Sequence, residues 1–374
     1  VTRKNLPLSG VRLLDFTRLL PGAYCSLLLT DLGAEVVKIE DLKGGDYMRW
    51  IPPLLGEYGV YFHAANRNKK SLAVDFYSEK GKDVVKRLIA QGDVLLEGFR
   101  PGVMEKLGLS YAQLSPSNPS LIYCAITGYG QEGPYSNKAG HDINYISIAG
   151  ILGGTGPSDG DPVIPAVQIA DISGSYVAAL GITAALLERH RTGRGKFIDV
   201  SMTEAASSFM TTHLAPVRAG LFDKKSGWRG RGMLSGGLAC YNVYRTKDGQ
   251  YVSLGALEAK FWKEFLTLVG REDLIADQYI EEKQDALKAE MRRLFASKTR
   301  NEWLQMLQGK DVCCEPVYEL DEVVNDPQLG ARGAVARTDA AVPKYGEHTR
   351  EILSQLGYSE SQIRELVDHN VIIC

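Results

Sequence analysis

The first apolar run, VRLLDF at residues 11–16, has the length of a strand. It is followed by PGAYCSLLLTDLG, where Pro21 marks a helix start and Gly33 its stop, and then by a second run, AEVVKIE. Strand, helix, strand is the prediction for residues 11–40. The alternation continues through KSLAVDF, the helical SEKGKDVVKRLIAQG, the strand-like DVLLEGF, PGVMEKLGL and LIYCAITGYG. Repeated βα units predict an α/β fold with a Rossmann-like, mostly parallel sheet. No G-x-G-x-x-G follows the first strand, so neither a nicotinamide nor a flavin site is expected.

After Asp171 comes the longest helical stretch of the first half, ISGSYVAALGITAALLERHRTGRG, apolar or small on all sides and ending on basic residues and Gly193. That pattern predicts a buried helix with a glycine stop, followed by the strand KFIDVSM. From about Ser207 the character changes. RAGLFDKKSGWRGRGMLSGG is rich in glycine and charge, whereas YNVYRTKDGQYVSLGA alternates around an Asp248-Gly249 turn and predicts a β-hairpin. Two or three helices follow up to about residue 308. The expected organisation is a large domain at 1–205 and 335–374, linkers at 206–224 and 326–334, and a smaller α+β domain at 225–325.

Composition narrows the class without fixing the chemistry. The 374 residues are 44% hydrophobic and 24% charged with a formal net charge of -2, which argues against a nucleic-acid or membrane-surface role. Six cysteines at 25, 124, 240, 313, 314 and 374 form no C-x-x-C pair, so neither a zinc site nor a dithiol motif is expected. The opening VTRKNLPLSGVRLLDF has too short an apolar run for a signal peptide, and no run of 18 apolar residues occurs. A cytoplasmic protein with reduced thiols is the expectation.

Three places put acids or histidine beside glycine-flanked turns: His141-Asp142 in AGHDINY, Asp171 in VQIADISGSY, and Glu258 in GALEAKFW. Each has a structural reading, since Asp142 and Asp171 stand where helices start and an aspartate there caps. The functional reading uses the same geometry: backbone N–H groups at the start of the Asp171 helix bind a developing oxyanion while the carboxylate acts on the neighbouring carbon.

In order along the chain, GVRLLDFTRLLPGAYCSLLLTDLGAEVVKIE, NRNKKSLAVDF, EGFRPGVMEKLGL, LIYCAITGYGQEGPY, AGHDINY, IADISG, RTGRGKFIDVSM, SLGALEAKFW and VCCEPV resemble the family III CoA-transferase superfamily, which includes the α-methylacyl-CoA racemases. The likeness runs from about Leu8 to Cys374. It implies a large Rossmann-like domain closed by the C-terminus, a smaller domain, and an interlocked homodimer, with a heteromer of related subunits as the other arrangement. It also implies an acyl-CoA substrate and no metal, nicotinamide or flavin cofactor.

In the racemase branch the resemblance makes His141 and Asp171 the two bases facing the α-carbon, with Glu258 hydrogen-bonded to the histidine. Inverting that carbon requires taking a proton from one face and returning one on the other, through an enolate whose oxygen needs donors. In the transferase branch Asp171 is instead the nucleophile that attacks the thioester and forms a mixed anhydride. The long stretch GGDYMRWIPPLLGEYGVYFHAANRNKKS looks more like transferases. A noncatalytic CoA-binding subunit is a third possibility, against which intact His141, Asp171 and Glu258 stand. By family position the CoA contacts are Lys38, Asn66, Arg67, Asn68, Lys69 and Arg100, with Gly140 and Asn144 near the thioester and Met233 near the acyl chain. Residues 337–348, RTDAAVPKYGEH, are shorter than the corresponding family region, as either a true truncation or a junction of two separated pieces would produce.

Overall fold

A computed structural model of the chain describes residues 6–222, 228–334 and 341–374. The chain divides into two units, one of Val1–Ile151, Pro165–Leu214 and Ala336–Cys374, the other of Leu152–Ile164 and Ala215–Val335. The stretch 206–224, expected as a linker, carries the helix Met202–Ser208 at its start and then the helix Thr211–Arg218. Its one glycine, Gly220, and the charges Asp223 and Lys224 follow the second of these helices in the sequence. Of the shortened region 337–348, residues 337–340 lie outside the described residues.

In the first unit the strands are β1 (Arg12–Asp15), β2 (Glu35–Glu40), β3 (Leu54–Leu55), β4 (Tyr58–Gly59), β5 (Lys70–Val74), β6 (Val94–Glu97), β7 (Ile122–Thr127) and β8 (Phe197–Ser201). The main sheet runs from the C-terminal strand Ile372–Ile373 through β5, β2, β1, β6, β7 and β8. All of these pairs are parallel except that of Ile372–Ile373 with β5. With the β3–β4 hairpin set aside, the parallel strands lie in the chain order 3-2-1-4-5-6, the doubly wound arrangement.

The register explains why those strands read as continuous apolar runs. Leu14 on β1 lies opposite Val37 on β2 and Leu95 on β6, and all three are buried in one core with Leu72, Val85 and Leu88. A strand covered on both faces has no polar side to alternate. Each such side chain contributes about 1.5–3 kcal/mol relative to exposure.

Helix α1 (Leu20–Asp31) follows β1, α2 (Val60–Asn66) follows the hairpin, and α3 (Glu79–Ile89) is capped by Ser78, whose hydroxyl accepts from Gly81 N at 3.1 Å. Farther on come α4 (Asp142–Ile148) and the long α5 (Ile169–Thr192), which ends on Gly193 at φ 69°. The expectation that α5 is buried all round is corrected. Its small residues Ala170, Gly174, Ala178 and Ala185 are buried, while Leu180 is 71% and Leu187 65% exposed. The close approach of α1 to α5 requires small side chains on one face, so the bulky apolar ones point away from it.

The hairpin segment is tied to β2 by Arg49. This guanidinium is fully buried, donates to both carboxylate oxygens of Glu40 at 2.8 and 2.7 Å and to Pro343 O at 2.9 Å, and lies 4.0 Å from the Phe62 ring centroid. A bidentate buried pair of this kind adds to the small apolar cluster in which Met48, Phe62 and Ala65 of this segment pack on Ala23.

In the second unit, β9 (Tyr241–Arg245) and β10 (Tyr251–Gly255) form the predicted hairpin, with Gly249 at φ 81°, and β11 (Cys314–Pro316) pairs antiparallel with β10. Helices Ala259–Leu268, Gln284–Phe295 and Arg300–Leu307 supply the core, where Tyr244 and Phe265 stack on Phe295 at 5.0 and 5.4 Å.

Candidate active site

Ligands of doubly wound sheets bind outside the carboxyl ends of the strands where the strand order reverses. Here that point lies between β1 and β6. A cavity of about 500 Å³ opens there, lined by Thr17, Arg18 and Leu19 after β1, Gly98, Phe99 and Arg100 after β6, Thr127, Gly128 and Tyr129 after β7, then Gly140, His141 and Asn144, and finally Asp171 and Met202.

Within the first unit the structure therefore brings together Arg100, Gly140, His141, Asn144 and Asp171. His141 stands just before α4, and its backbone N–H donates to Asn144 Oδ1 at 3.0 Å, so Asn144 fixes the turn that carries the imidazole. Gly140 is held by Tyr145, whose hydroxyl donates to Gly140 O at 2.5 Å. A Cβ at Gly140 would meet the Tyr145 ring at 2.7 Å, and one at Gly128 would meet it at 2.4 Å, so two glycines make the seat of one tyrosine.

Asp142 explains the conjunction of histidine and aspartate. Rather than capping its own helix, it reaches 28 and 29 residues along the chain: its Oδ1 accepts from Ala170 N at 2.6 Å and from Asp171 N at 3.0 Å. One motif thus presents a histidine to the cavity and, through the next residue, anchors the first turn of the helix that presents the second acid. Of the amides in this turn that were expected to serve an oxyanion, those of Ala170 and Asp171 are engaged by Asp142.

The Asp171 carboxyl is pushed up to about 7, first by burial and then by the Asp142 carboxylate. Both effects disfavour the anion, leaving a group that holds or releases a proton near neutrality.

The other expected CoA contacts lie off the cavity wall. Lys38 is fully buried; its ammonium donates to Thr17 O at 2.9 Å and lies 2.8 Å from Asp46 Oδ2 and 3.9 Å from Asp15 Oδ2. Lys69 donates to Ala23 O at 2.9 Å and Asn66 Oδ1 at 2.7 Å, 3.6 Å from the same Asp15 oxygen. These two lysines form a charged network with Asp15 and Asp46, their ammonium groups turned to protein partners, and Asn66 accepts from Lys69 through Oδ1. Arg67 pairs with Asp31 at 2.5 Å, and Asn68 takes φ 64° in the turn before β5.

Glu258 belongs to the second unit, at the start of the helix Ala259–Leu268, where its carbonyl accepts from Phe261 N at 3.0 Å. Met233 is also in that unit and is 57% exposed. Sequence reasoning passed over Thr17, Arg18, Tyr129, Lys138, Tyr145 and Met202. The first two stand at the end of the first strand of a predicted βαβ unit, where the switch-point rule directs attention.

Comparison with known proteins gives the family. Residues 8–363 match CoA-transferase family III. The chain is 35% identical to the α-methylacyl-CoA racemase of Homo sapiens, covering 98% of each chain. It is 34% identical to the succinyl-CoA:glutarate CoA-transferase of Mus musculus, covering 98% of this chain and 90% of that one. A crystal structure of a CAIB/BAIF family protein from Brucella suis superposes with a TM-score of 0.82 at 32% identity, over 94% of this chain and 100% of that one. The doubly wound sheet, the acid and histidine at its switch point and these end-to-end likenesses agree: the chain is an acyl-CoA enzyme belonging to family III of the CoA-transferases.

Proposed function

We propose that this enzyme is a 2-methylacyl-CoA racemase that moves the proton on the carbon next to the thioester, with His141 and Asp171 as the two acid–base groups. The observation that supports this reading is the presence, in one cavity, of an exposed imidazole and a carboxyl whose pKa stands at about 7. One group takes the α-proton and the thioester oxygen carries the enolate charge. The other group then returns a proton to the opposite face. Both must exchange a proton during turnover, and the raised Asp171 carboxyl can do so near neutrality. In this reading Glu258 orients His141 by hydrogen bonding, as in the racemases the chain resembles, and two copies of the chain interlock.

The second reading is CoA transfer. It is favoured by the likeness to a CoA-transferase and by the stretch 44–71, whose length looks more like transferases than racemases. There the Asp171 carboxylate attacks the acyl carbon and the C–S bond breaks, giving an acyl–aspartyl anhydride and CoA thiolate. The thiolate then attacks the aspartyl carbonyl, which frees the first carboxylate and leaves an aspartyl-CoA thioester, and an acceptor carboxylate takes the CoA by the same two steps in reverse. His141 has no proton to move in that sequence.

His141→Ala separates the two. Racemisation requires it, so the variant is expected to lose about 10²–10⁴-fold in exchange of the α-proton. Transfer of CoA between carboxylates, measured on the same preparation, is the contrast. A variant that exchanges the α-proton at the parent rate overturns the racemase reading.

A further inference from the structure

The cavity wall carries a cation that the two-base chemistry does not use. Arg18 donates through Nη1 to Tyr47 OH at 2.9 Å and through Nη2 to Asp41, and its guanidinium lies 5.2 Å from the Tyr47 ring centroid and 5.8 Å from that of Phe99. Its side chain keeps 23% of its surface, while that of Asp41 keeps 7%. Asp41 is in turn fixed by Lys43 N at 2.9 Å and Gly45 N at 3.3 Å on its other oxygen. The next residue, Leu19, has φ 63° and is held by Asp46, which accepts from Leu19 N at 3.0 Å.

This is an arginine fixed in position from three sides rather than a solvated one. A guanidinium has five N–H donors in a rigid fork, and Asp41 and Tyr47 take two of them. The remaining donors belong to a side chain that lines the cavity. Asp41 and Tyr47 come from the segment between β2 and β5, so that segment sets the direction of the fork.

Resting on the acyl-CoA reading above, we infer that Arg18 is a substrate-recognition residue that binds an anionic oxygen of the CoA ester, and that Asp41 and Tyr47 position it. Two parts of such esters carry that chemistry, the phosphates of CoA and a carboxylate at the far end of the acyl chain. A charge-assisted contact from a fixed guanidinium predicts a loss of about 10-fold or more in affinity when it is removed.

The experiment is calorimetric titration of the full-length protein and its Arg18→Gln variant with 2-methylbutanoyl-CoA, which has no distal charge, and methylsuccinyl-CoA, which has one. Weakening confined to methylsuccinyl-CoA supports the inference with the distal carboxylate as the anion. Equal weakening of both esters supports it with the phosphates as the anion. Tyr47→Phe keeps the guanidinium and its Asp41 partner and loosens one side, so it is expected to weaken the same esters by a smaller factor, about 2–5-fold. This second variant keeps the test available if Arg18→Gln does not fold. Unchanged affinity of a folded Arg18→Gln for both esters overturns the inference and leaves the acyl-CoA reading intact. Failure of the parent protein to bind either ester overturns both.

Discussion

Asp171→Asn is expected to lower α-proton exchange by about 10³-fold while leaving the chain folded, because the amide keeps the shape of the carboxyl and removes its proton chemistry. The structure makes Asp171 the residue with the largest expected effect. Burial and then Asp142 push its carboxyl up to about 7 inside the cavity. The same substitution also changes stability with a defined sign. The folded pKa of about 7 lies above the ordinary 3.8, so between those values the folded state binds more protons than the unfolded one. Stability therefore falls as pH rises across that window, and the fall is expected to be smaller in Asp171→Asn. Urea unfolding of both proteins at the two ends of the window checks this, and parallel pH dependence in parent and variant would contradict it.

Lys38→Met is expected to destabilise the protein by about 3–5 kcal/mol, as removal of one partner of a buried ion pair does. Its ammonium neutralises Asp46, supports Asp15 and holds Thr17 O. Asp15 in turn accepts from Thr17 N at 2.9 Å and Ser26 Oγ at 2.6 Å, and its carboxyl is held below the ordinary value despite burial, by Lys38 and then Lys69. Loss of Lys38 leaves Asp46 buried without its cation while Asp46 still holds Leu19, a non-glycine residue at positive φ. The strained turn that carries Arg18 loses a support, so substrate affinity should fall together with stability. Lys80→Met, which removes an exposed pair with Glu365, is the control and is expected to change stability by under about 1 kcal/mol. Equal urea midpoints for the two variants would contradict the role given to Lys38.

Much of the fold was legible because parallel strands covered on both faces print as apolar runs, and because Pro21, Gly33, Gly193 and Asp248-Gly249 punctuate at the expected places. The exceptions have physical causes. Met202–Ser208 and Thr211–Arg218 lead into the glycine- and charge-rich run that starts at Arg218, and the linker expected from that run was extended back over them. The outward face of α5 is invisible to composition, since small and large apolar residues score alike until a close neighbour selects the small ones.

The site was legible only in part. His141, Asp171 and Arg100, singled out through the family resemblance, line one cavity. Lys38 did not read as a buried charge because burial of a lysine depends on Asp15 and Asp46 converging on it, from positions 23 residues before and 8 residues after. The role of Asp142 was hidden for a similar reason: local spacing makes it a cap for the helix it begins, whereas its carboxylate caps α5 instead. Arg18 sat at a place the switch-point rule identifies, in a stretch that read simply as the end of a strand.

The central claim is that His141 and Asp171 exchange a proton at the carbon beside the thioester. Its most direct test is mass spectrometry of 2-methylbutanoyl-CoA incubated with the enzyme in D2O, beside a second tube holding succinyl-CoA and free carboxylic acids. The prediction is one deuterium at the α-carbon in the first tube, with no carboxylic acid present. Absence of deuterium there, with new acyl-CoA masses in the second tube, would contradict it and make Asp171 the nucleophile of a CoA-transferase.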